Sequence, residues 1–472
     1  MIFNSFTYLA FLIMFCLLYW LLPRLLRLYL LLIGSVVFYG FWSFYFVPLM
    51  FVSVLIDYLI APMIAKEDSQ KRKKFYLWLS IGSNLSLLFY FKYLYFFTDS
   101  VAGLFKVLGY DWSVGPMSIV LPIGISFYTF QSMSYSIDVY RNKIKPVKDF
   151  VLFANYITFF PQLVAGPILR ANEVIWQLNV RPVFKISYLH NGFRRVILGL
   201  ALKVLFADNL APFVNEGFSA NSNDLSVIDV ITLAFLFGFQ IYFDFAAYSQ
   251  IAKGTAEMVG VKFPDNFKFP YHASSPRDFW RRWHITLSNW IKDYLYVPLI
   301  SKSKHENTSI NLFSVLVLFF TWALMGLWHG ASWNFVVWGC WHAVLVLFHR
   351  LIILSRFGLK SNIFINGFGR FVTLILIMLA WIPFRSDSLF DTMNMFNAFF
   401  DPKRWMYISF HENTYLVAAI TFICVAISPI FWRFIDFYEQ RFKIVSFIIF
   451  TLVSVLVLIF LQPLDQFIYF QF

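Results

Sequence analysis

Apolar runs long enough to cross a lipid bilayer recur from one end of this 472-residue sequence to the other. They constrain the fold more than any other feature, because no soluble fold of this size can bury that much apolar surface. Composition agrees, since 60% of the residues are hydrophobic and only 13% are charged, against about a quarter charged in an ordinary globular domain. A soluble enzyme, a disulfide scaffold and a disordered chain are excluded. The sequence predicts an all-α, polytopic integral membrane protein.

Basic residues cluster in loops that set the expected orientation. They follow the first apolar run (Arg24 and Arg27), the third run (residues 66–74) and the segment ending near residue 140 (residues 141–148). Since basic loops remain cytoplasmic, this spacing predicts an extracytoplasmic N-terminus. The net charge of +13 has the same explanation, so we expect membrane lipid as a partner and no nucleic acid. Residues 1–7 lack the basic start of a signal peptide, so we expect the run 8–22 to be retained as a membrane helix.

One segment does not fit simple alternation across the membrane. Residues 150–164 lie between two basic stretches, so both of its ends are expected on the cytoplasmic side. We therefore expect this segment to enter and return, or to cross in broken form. With about eleven segments of spanning length and no internal repeat, the sequence predicts one membrane domain over residues 1–472, with re-entrant and interfacial helices in addition.

Residues 277–294 carry two different faces at helical spacing. The aromatic face comprises Trp280, Trp283, Leu287, Trp290 and Tyr294, and the other, largely cationic, comprises Arg277, Arg281, His284, Ser288 and Lys292. Such a pattern is typical of a helix that lies in the membrane interface. Two interpretations remain open: a lipid anchor, or a surface whose cations bind an anionic ligand such as a phosphate group.

His329 follows an apolar run without charged residues and is bracketed by Gly326 and Gly330. Burial favours the neutral imidazole, which is the form a general base requires. The glycines allow a ligand or a neighbouring helix to approach closely. A structural histidine bonded to a carbonyl group explains the pattern equally well.

Other ionisable residues in apolar segments are expected to pair or pack. Asp244 ends an apolar run, and an unpaired charge there is costly, so we expect an ion pair with an Arg of 277–282 rather than a solvated helix end. His342 and His349 share a helical face and are expected to pack. No spacing of Cys, His, Asp or Glu predicts a metal site.

Five stretches resemble motifs of the membrane-bound O-acyltransferase (MBOAT) superfamily. They are residues 121–127, 159–168, 240–245, 278–294 and 326–330, the last holding the histidine motif Gly-Leu-Trp-His-Gly. The sequence is most similar to the bacterial branch of alginate O-acetylation proteins, and more loosely to the D-alanyl transferases of teichoic acids. The resemblance covers most of the chain and implies the MBOAT fold, in which helices form a tunnel through the membrane.

The resemblance also implies the participants of a reaction. It assigns His329 as the essential catalytic histidine and His284 as a second one, with no bound cofactor. The donor would be a cytoplasmic thioester, with acetyl-coenzyme A expected, and the enzyme would lie in the inner membrane of a bacterium. The acceptor would be a polysaccharide, either an exopolysaccharide such as alginate or peptidoglycan, or a periplasmic SGNH-type (AlgJ- or AlgX-like) acetyltransferase. Residues expected to contact donor or substrate are Asp244, Arg277, Arg281, Arg282, Ser288, Asn289 and Asn334.

Several details remain open at this level. A hydroxyl would displace the thiol of the donor with His329 as general base, and His284, Asn289, Asn334 or backbone N–H groups would stabilise the oxyanion. Direct transfer and a covalent acyl-enzyme are both compatible with these residues. After Asp244 the family usually continues Ser-Gly-Tyr-Ser-Asp, whereas this chain has Ala-Ala-Tyr-Ser-Gln at 246–250. D-alanyl transfer, a transporter of lipid-linked sugars and a non-enzymatic scaffold are the alternative functions.

Overall fold

The computed structural model describes residues 1–112, 115, 119–180, 182–301, 311–354, 363–441, 443–461 and 467–468. Within these ranges the regular structure is entirely helical, which confirms the predicted all-α fold. The α-helices, in chain order, are α1 (Phe6–Leu21), α2 (Arg27–Gly40), α3 (Val47–Lys66), α4 (Gln70–Leu88), α5 (Leu94–Val107), α6 (Ile125–Tyr140), α7 (Phe150–Thr158), α8 (Ala171–Val180), α9 (Ile186–Ala201), α10 (Asp208–Ser219), α11 (Val227–Met258), α12 (Pro276–Phe279), α13 (Ile285–Ile291), α14 (Val297–Ile300), α15 (Leu312–His329), α16 (Trp333–Leu354), α17 (Ile363–Arg385), α18 (Leu389–Asn397), α19 (Glu412–Arg441) and α20 (Lys443–Phe460).

Among the described residues, seven helical segments are long and apolar enough to cross a bilayer, which confirms a polytopic membrane protein. They are Phe44–Lys66, Ile186–Ser219, Val227–Met258, Leu312–His329, Trp333–Ile353, Gly367–Arg385 and Glu412–Phe431. Three further apolar helices are shorter, namely Phe6–Leu21, Arg27–Gly40 and Phe447–Phe460. Two further apolar stretches of the sequence are not in this set: the one near 75–97 continues from α4 through a π-helical turn, Phe89–Tyr93, into α5, and the one that ends near residue 140 forms the short helix α6.

Helix α6 is buried in the protein and does not have the length of a membrane span. Nearly all of its 16 residues are buried, although many carry hydroxyl or amide groups. At about 1.5 Å per residue it is shorter than the roughly 30 Å hydrocarbon core. The helix therefore supplies polar groups to the protein interior.

The chain forms two compact units, which are Met1–Val196 with Tyr248–Pro264, and Ile197–Ala247 with Asp265–Phe472. In the first unit α3, α4 and α6 pack on one another, and α2 packs on α7. In the second unit α15 packs along α16, which also contacts α12 and α17. That the two units make one membrane domain, as the sequence predicts, stays a prediction.

The segment 150–164 is broken, as predicted. Helix α7 has only nine residues, about 14 Å at the usual rise, and it ends at Thr158. The backbone then turns at Phe159, and residues 152–169 are all buried. Gly124, at φ 77°, lies against the backbone of Leu163 in this turn, where a Cβ would overlap. The segment is therefore held inside the protein, where irregular backbone is tolerated.

Helices α15 and α16 form a hairpin whose backbones nearly touch. A Cβ added at Gly326 would overlap the carbonyl oxygen of Phe335, and one added at Gly339 would overlap that of Trp322. Small residues at such crossings allow close helix packing in membranes. The prediction that Gly326 allows a neighbouring helix to approach closely is confirmed, and that helix is α16.

We expect Gly326→Ala to destabilise the protein by about 1–3 kcal/mol, because its methyl group meets backbone that can move only with α16. Thermal unfolding of the purified protein measures this. Gly367→Ala is the matched control, since no atom lies within 4 Å of the Cβ it would add. Equal melting temperatures for the two variants would contradict the close helix contact.

Candidate active site

His329 is the last residue of α15, and Gly330 caps the C-terminus of this helix. Its buried ring is surrounded by aromatic side chains, with centroid distances of 4.9 Å to Trp328, 4.9 Å to Trp338 and 5.2 Å to Phe384. This apolar enclosure disfavours the charged imidazolium and keeps water away. His329 is therefore enclosed by aromatic side chains at the end of a candidate span.

His284 lies at a break between α12 and α13, with φ 40° and ψ 55°. This left-handed conformation is uncommon for a residue with a side chain and persists only where the surroundings hold it. The backbone N–H of Ile285 donates to the Asn266 carbonyl oxygen at 2.9 Å, and that of Lys268 donates to the Arg282 carbonyl at 2.9 Å. The ring is fully buried, and burial lowers the pKa of His284 to about 3, so the imidazole is neutral near pH 7.

The Asn266 side chain determines which nitrogen of His284 carries the proton. Its Oδ1 lies 3.1 Å from Nδ1 of His284 and also accepts from the backbone N–H of Thr286 at 3.3 Å and its hydroxyl at 2.9 Å. Because a backbone N–H can only donate, this Asn266 atom is an oxygen, and Nδ1 of the neutral ring must be the donor. Nε2 then holds the basic lone pair. Neutral His284 can accept a proton but cannot donate one to an oxyanion.

The two predicted catalytic histidines meet at one indole. The Trp328 ring lies 4.9 Å from the ring of His329 and 6.0 Å from that of His284. Phe245 packs edge-on against His284 at 4.6 Å. The structure therefore brings both residues into one aromatic cluster of the second unit.

A cavity of about 520 Å³ is separated from His329 by two indole rings. Trp280 lines it and contacts Trp338 at 5.8 Å, and Trp338 contacts His329. Its α15 wall consists of Leu318, Thr321, Trp322 and Met325. These positions share the helix face that continues to His329.

The lining of this cavity combines cations with apolar walls. Arg277, Lys292 and Arg350 contribute positive charge, while Ile291 and Ile300 are among the apolar residues. The volume is typical of small-molecule sites. The cavity can therefore hold an anionic molecule that carries an apolar part.

The continuous interfacial helix predicted for residues 277–294 is wrong. The chain instead forms α12, a turn through Trp283 and His284, α13 and a π-helical turn, Lys292–Tyr296. The aromatic stripe is buried in protein, since Trp280 packs on Trp322 at 4.8 Å and Trp283 packs on Trp381 at 5.0 Å. An apolar stripe satisfies lipid or protein equally well, so spacing could not distinguish them.

The sequence predicted that Asp244 pairs with an Arg of 277–282, and this prediction is wrong, because its partner is Lys203. Its Oδ1 lies 2.7 Å from Nζ of Lys203, which is also 2.8 Å from Asp208. Its Oδ2 accepts the backbone N–H of Ile468 at 2.8 Å. Lys203 lies on the π-helical segment Leu202–Ala207, inside an apolar run that gave no reason to expect a buried cation. Asp244 therefore serves a buried ion-pair network.

The other residues predicted to contact donor or substrate divide into two groups. Arg277 and Ser288 line the cavity. Arg281 is exposed, Arg282 pairs with Asp278 at 3.0 Å, and Asn289 accepts from Lys292 at 3.3 Å. Asn334 donates to the Ser386 carbonyl at 2.7 Å and ties α16 to the end of α17.

Several residues of the site were missed from the sequence. Asn266, Trp338 and Arg350 carry no local motif for their roles, because each acts through contacts that only the fold creates. Helical spacing did contain a signal, since Arg277, Ser288 and Lys292 of the predicted cationic face all line the cavity.

The position where this chain departs from the usual acyltransferase pattern has a contact of its own. Gln250 accepts a hydrogen bond from Nη1 of Arg195 at 3.3 Å. Arg195 also pairs with Glu257 at 2.9 Å, so a neutral side chain at 250 leaves that ion pair intact. At position 250 the departure therefore contributes a contact between α9 and α11.

Comparison with known proteins agrees with the motifs. The model described as "MBOAT, membrane-bound O-acyltransferase family" matches residues 31–385. The chain is 36% identical to the probable alginate O-acetylase AlgI of Azotobacter vinelandii, over 86% of this chain and 79% of that protein. It is 33% identical to the peptidoglycan O-acetyltransferase of Helicobacter pylori, over 76% and 71%. It is 26% identical to the teichoic acid D-alanyltransferase of Streptococcus thermophilus, over 57% and 69%.

We expect nitrogen-15 NMR of histidine-labelled protein to show His284 as the Nδ1–H tautomer, with protonation only near pH 3. Asn266→Asp should raise the pKa of His284, because a carboxylate stabilises the imidazolium. Asn266→Ala should abolish the tautomer preference and destabilise the fold by about 1–3 kcal/mol.

Resonances are assigned with His284→Asn, and Asn221→Ala, in an exposed loop, is the control. A His284 tautomer and pKa that are the same in all Asn266 variants would show that Asn266 does not set the proton position.

Proposed function

The chain belongs to the membrane-bound O-acyltransferase family and is an O-acyltransferase, and we propose that it moves acetyl groups from a cytoplasmic thioester, acetyl-coenzyme A, to an extracytoplasmic polysaccharide. The observation that carries this proposal is the meeting of His329 and His284 at Trp328, beside a cavity lined by cations. It supplies proton acceptors and a place for an anionic donor within one unit.

The cavity is the proposed donor site. Acetyl-coenzyme A carries phosphates, and Arg277, Lys292 and Arg350 offer charge-assisted hydrogen bonds to such groups. The α15 wall leads from this cavity towards His329. A donor held by its phosphates would therefore direct its thioester along that face.

In the proposed reaction the acetyl group passes from a thioester to an oxygen ester. An acceptor hydroxyl attacks the thioester carbonyl carbon, a C–O bond forms, and the C–S bond breaks. His329 takes the hydroxyl proton and returns it to the leaving thiolate, so the histidine ends unchanged. His284 contributes Nε2 as a second proton acceptor, with its orientation fixed by Asn266. The aromatic enclosure excludes water that would otherwise hydrolyse the thioester.

The oxyanion needs a hydrogen-bond donor that His284 cannot supply while neutral. Trp338 is completely buried, its ring contacts His329, and its indole N–H has no hydrogen-bond partner among the described residues. An indole N–H is a donor only. We assign this role to Trp338, in place of the asparagines considered from the sequence.

The acceptor is proposed to be an exopolysaccharide such as alginate, reached directly or through a periplasmic SGNH-type acetyltransferase. This rests on the relatives named as alginate O-acetylases, which are 33–36% identical over most of the chain. The proposed orientation, in a bacterial inner membrane with an extracytoplasmic N-terminus, rests on the basic loops. D-alanyl transfer is the weaker candidate, because the relative of that name is less similar and matches 57% of the chain.

We expect His329→Ala to reduce acetyl transfer by a factor of about 100 or more, because general base catalysis is lost. The measurement is ester-linked acetate on cellular polysaccharide, together with thioester cleavage by the purified protein. His190→Ala, an exposed histidine of α9, is the matched control.

Three outcomes would count against parts of this proposal. Persistent acetylation by a stably inserted His329→Ala protein would remove the catalytic assignment. Released D-alanine in place of acetate would change the acyl group. A purified wild-type protein that never cleaves the thioester, while cells need it for acetylation, would indicate a scaffold.

We expect Arg277→Gln and Lys292→Gln each to raise the KM for acetyl-coenzyme A about tenfold, with little change in kcat, since each removes a charge-assisted contact. The wild-type KM should rise with ionic strength. Arg281→Gln is the control, since Arg281 is exposed and does not line the cavity. An equal effect of all three variants would indicate general electrostatics rather than a donor site.

A further inference from the structure

A buried carboxylate lies in the first unit, on a helix that contributes no residue to the candidate active site. Asp57 is near the middle of the candidate span Phe44–Lys66 and is fully buried. An ionised carboxylate at such a place is costly unless a positive charge or a proton compensates it. Acidic residues inside membrane helices usually mark a functional site.

The groups around Asp57 come from two helices, α4 and α6, and are all neutral. On Oδ1 the carboxylate accepts from the hydroxyls of Ser80, in α4, and Ser136, in α6, the latter at 3.0 Å. On Oδ2 it accepts from Nδ2 of Asn84 at 2.7 Å. The hydroxyl of Ser132, one turn before Ser136 on the same helix, is completely buried and has no hydrogen-bond partner among the described residues.

The positive charge that would balance Asp57 is not supplied by a side chain. Within the described ranges no Lys, Arg or His forms an ion pair with it. The comparison with Asp244 is direct, because that buried carboxylate has Lys203 at 2.7 Å. The Asp57 cluster therefore offers one carboxyl group and several hydroxyl oxygens, and it has no side-chain cation among the described residues.

We propose that Asp57, with the hydroxyls of Ser80, Ser132 and Ser136, binds one Na⁺ ion. Oxygen ligands select hard cations, and a single carboxylate balances one positive charge rather than two. A serine hydroxyl in a helix can turn its hydrogen to the carbonyl one turn earlier, which frees its oxygen for a metal. Asn84 occupies Oδ2, so the ion lies on the Oδ1 side.

The ion joins α3, α4 and α6, so it acts as a stabilising ligand of the first unit. A ligand that binds only the folded state raises the melting temperature in a saturable manner. The rise in melting temperature requires neither the acyl donor nor the acyl acceptor, so it is measured in the absence of both. A failure of the proposed acyl transfer would therefore leave it unchanged.

The test uses the full-length protein in lipid nanodiscs. We expect the melting temperature to rise by several degrees and to saturate with NaCl, but not with choline chloride at equal ionic strength. Asp57→Asn should abolish this dependence, because a neutral amide needs no cation. Ser136→Ala should raise the Na⁺ concentration at the midpoint about tenfold. Ser35→Ala, a buried serine of the same unit that bonds Leu31 and Phe160, should respond like wild type.

Two direct measurements keep the proposal falsifiable if Asp57→Asn does not fold. Wild-type protein should bind radioactive ²²Na⁺ at one site per chain, and Ser136→Ala should bind it more weakly. Equal melting in NaCl and choline chloride, or no bound ²²Na⁺, would overturn the proposal. An infrared band of a protonated carboxyl group that Asp57→Asn removes in the presence of Na⁺ would also overturn it, since the charge would then be neutralised by a proton.

Discussion

The near contact of the α15 and α16 backbones is the constraint on which the candidate site depends. Gly326 faces the carbonyl of Phe335, and Gly339 faces that of Trp322. This approach places Trp338 of α16 against His329 of α15. Without it, the indole would not enclose the imidazole, and the cavity along α15 would lack a wall. The close packing of α15 on α16 thus determines which side chains surround His329 at the end of α15.

Two buried polar groups of the second unit are held by specific side-chain partners. Asn266 holds His284 in one tautomer, and Lys203 balances Asp244 and Asp208. Asn266 is 18 positions from His284, and Lys203 is 41 positions from Asp244. In a protein whose interior is dominated by aromatic rings, such contacts define which of many apolar packings is adopted.

Helices and histidines could be predicted from the sequence because their signals are local. Apolar runs predict helices, and the motif around His329 identifies the family. The break at His284 could not be predicted, because its left-handed backbone occurs without the glycine or asparagine that usually marks one. The partner of Asp244 was missed because Lys203 lies in an apolar helix, where periodicity contains no information on pairing.

The bond between Asp244 and the backbone of Ile468 has a consequence for the order of folding. These residues are 224 positions apart. Lys203, Asp208 and Asp244 can come together while synthesis continues, but the hydrogen bond from the backbone N–H of Ile468 can form only after residue 468 has been made. Contacts of such large separation form late. The ion-pair network of the second unit is therefore completed only when the segment around Ile468 packs against Asp244, after the other helices of the network have been made.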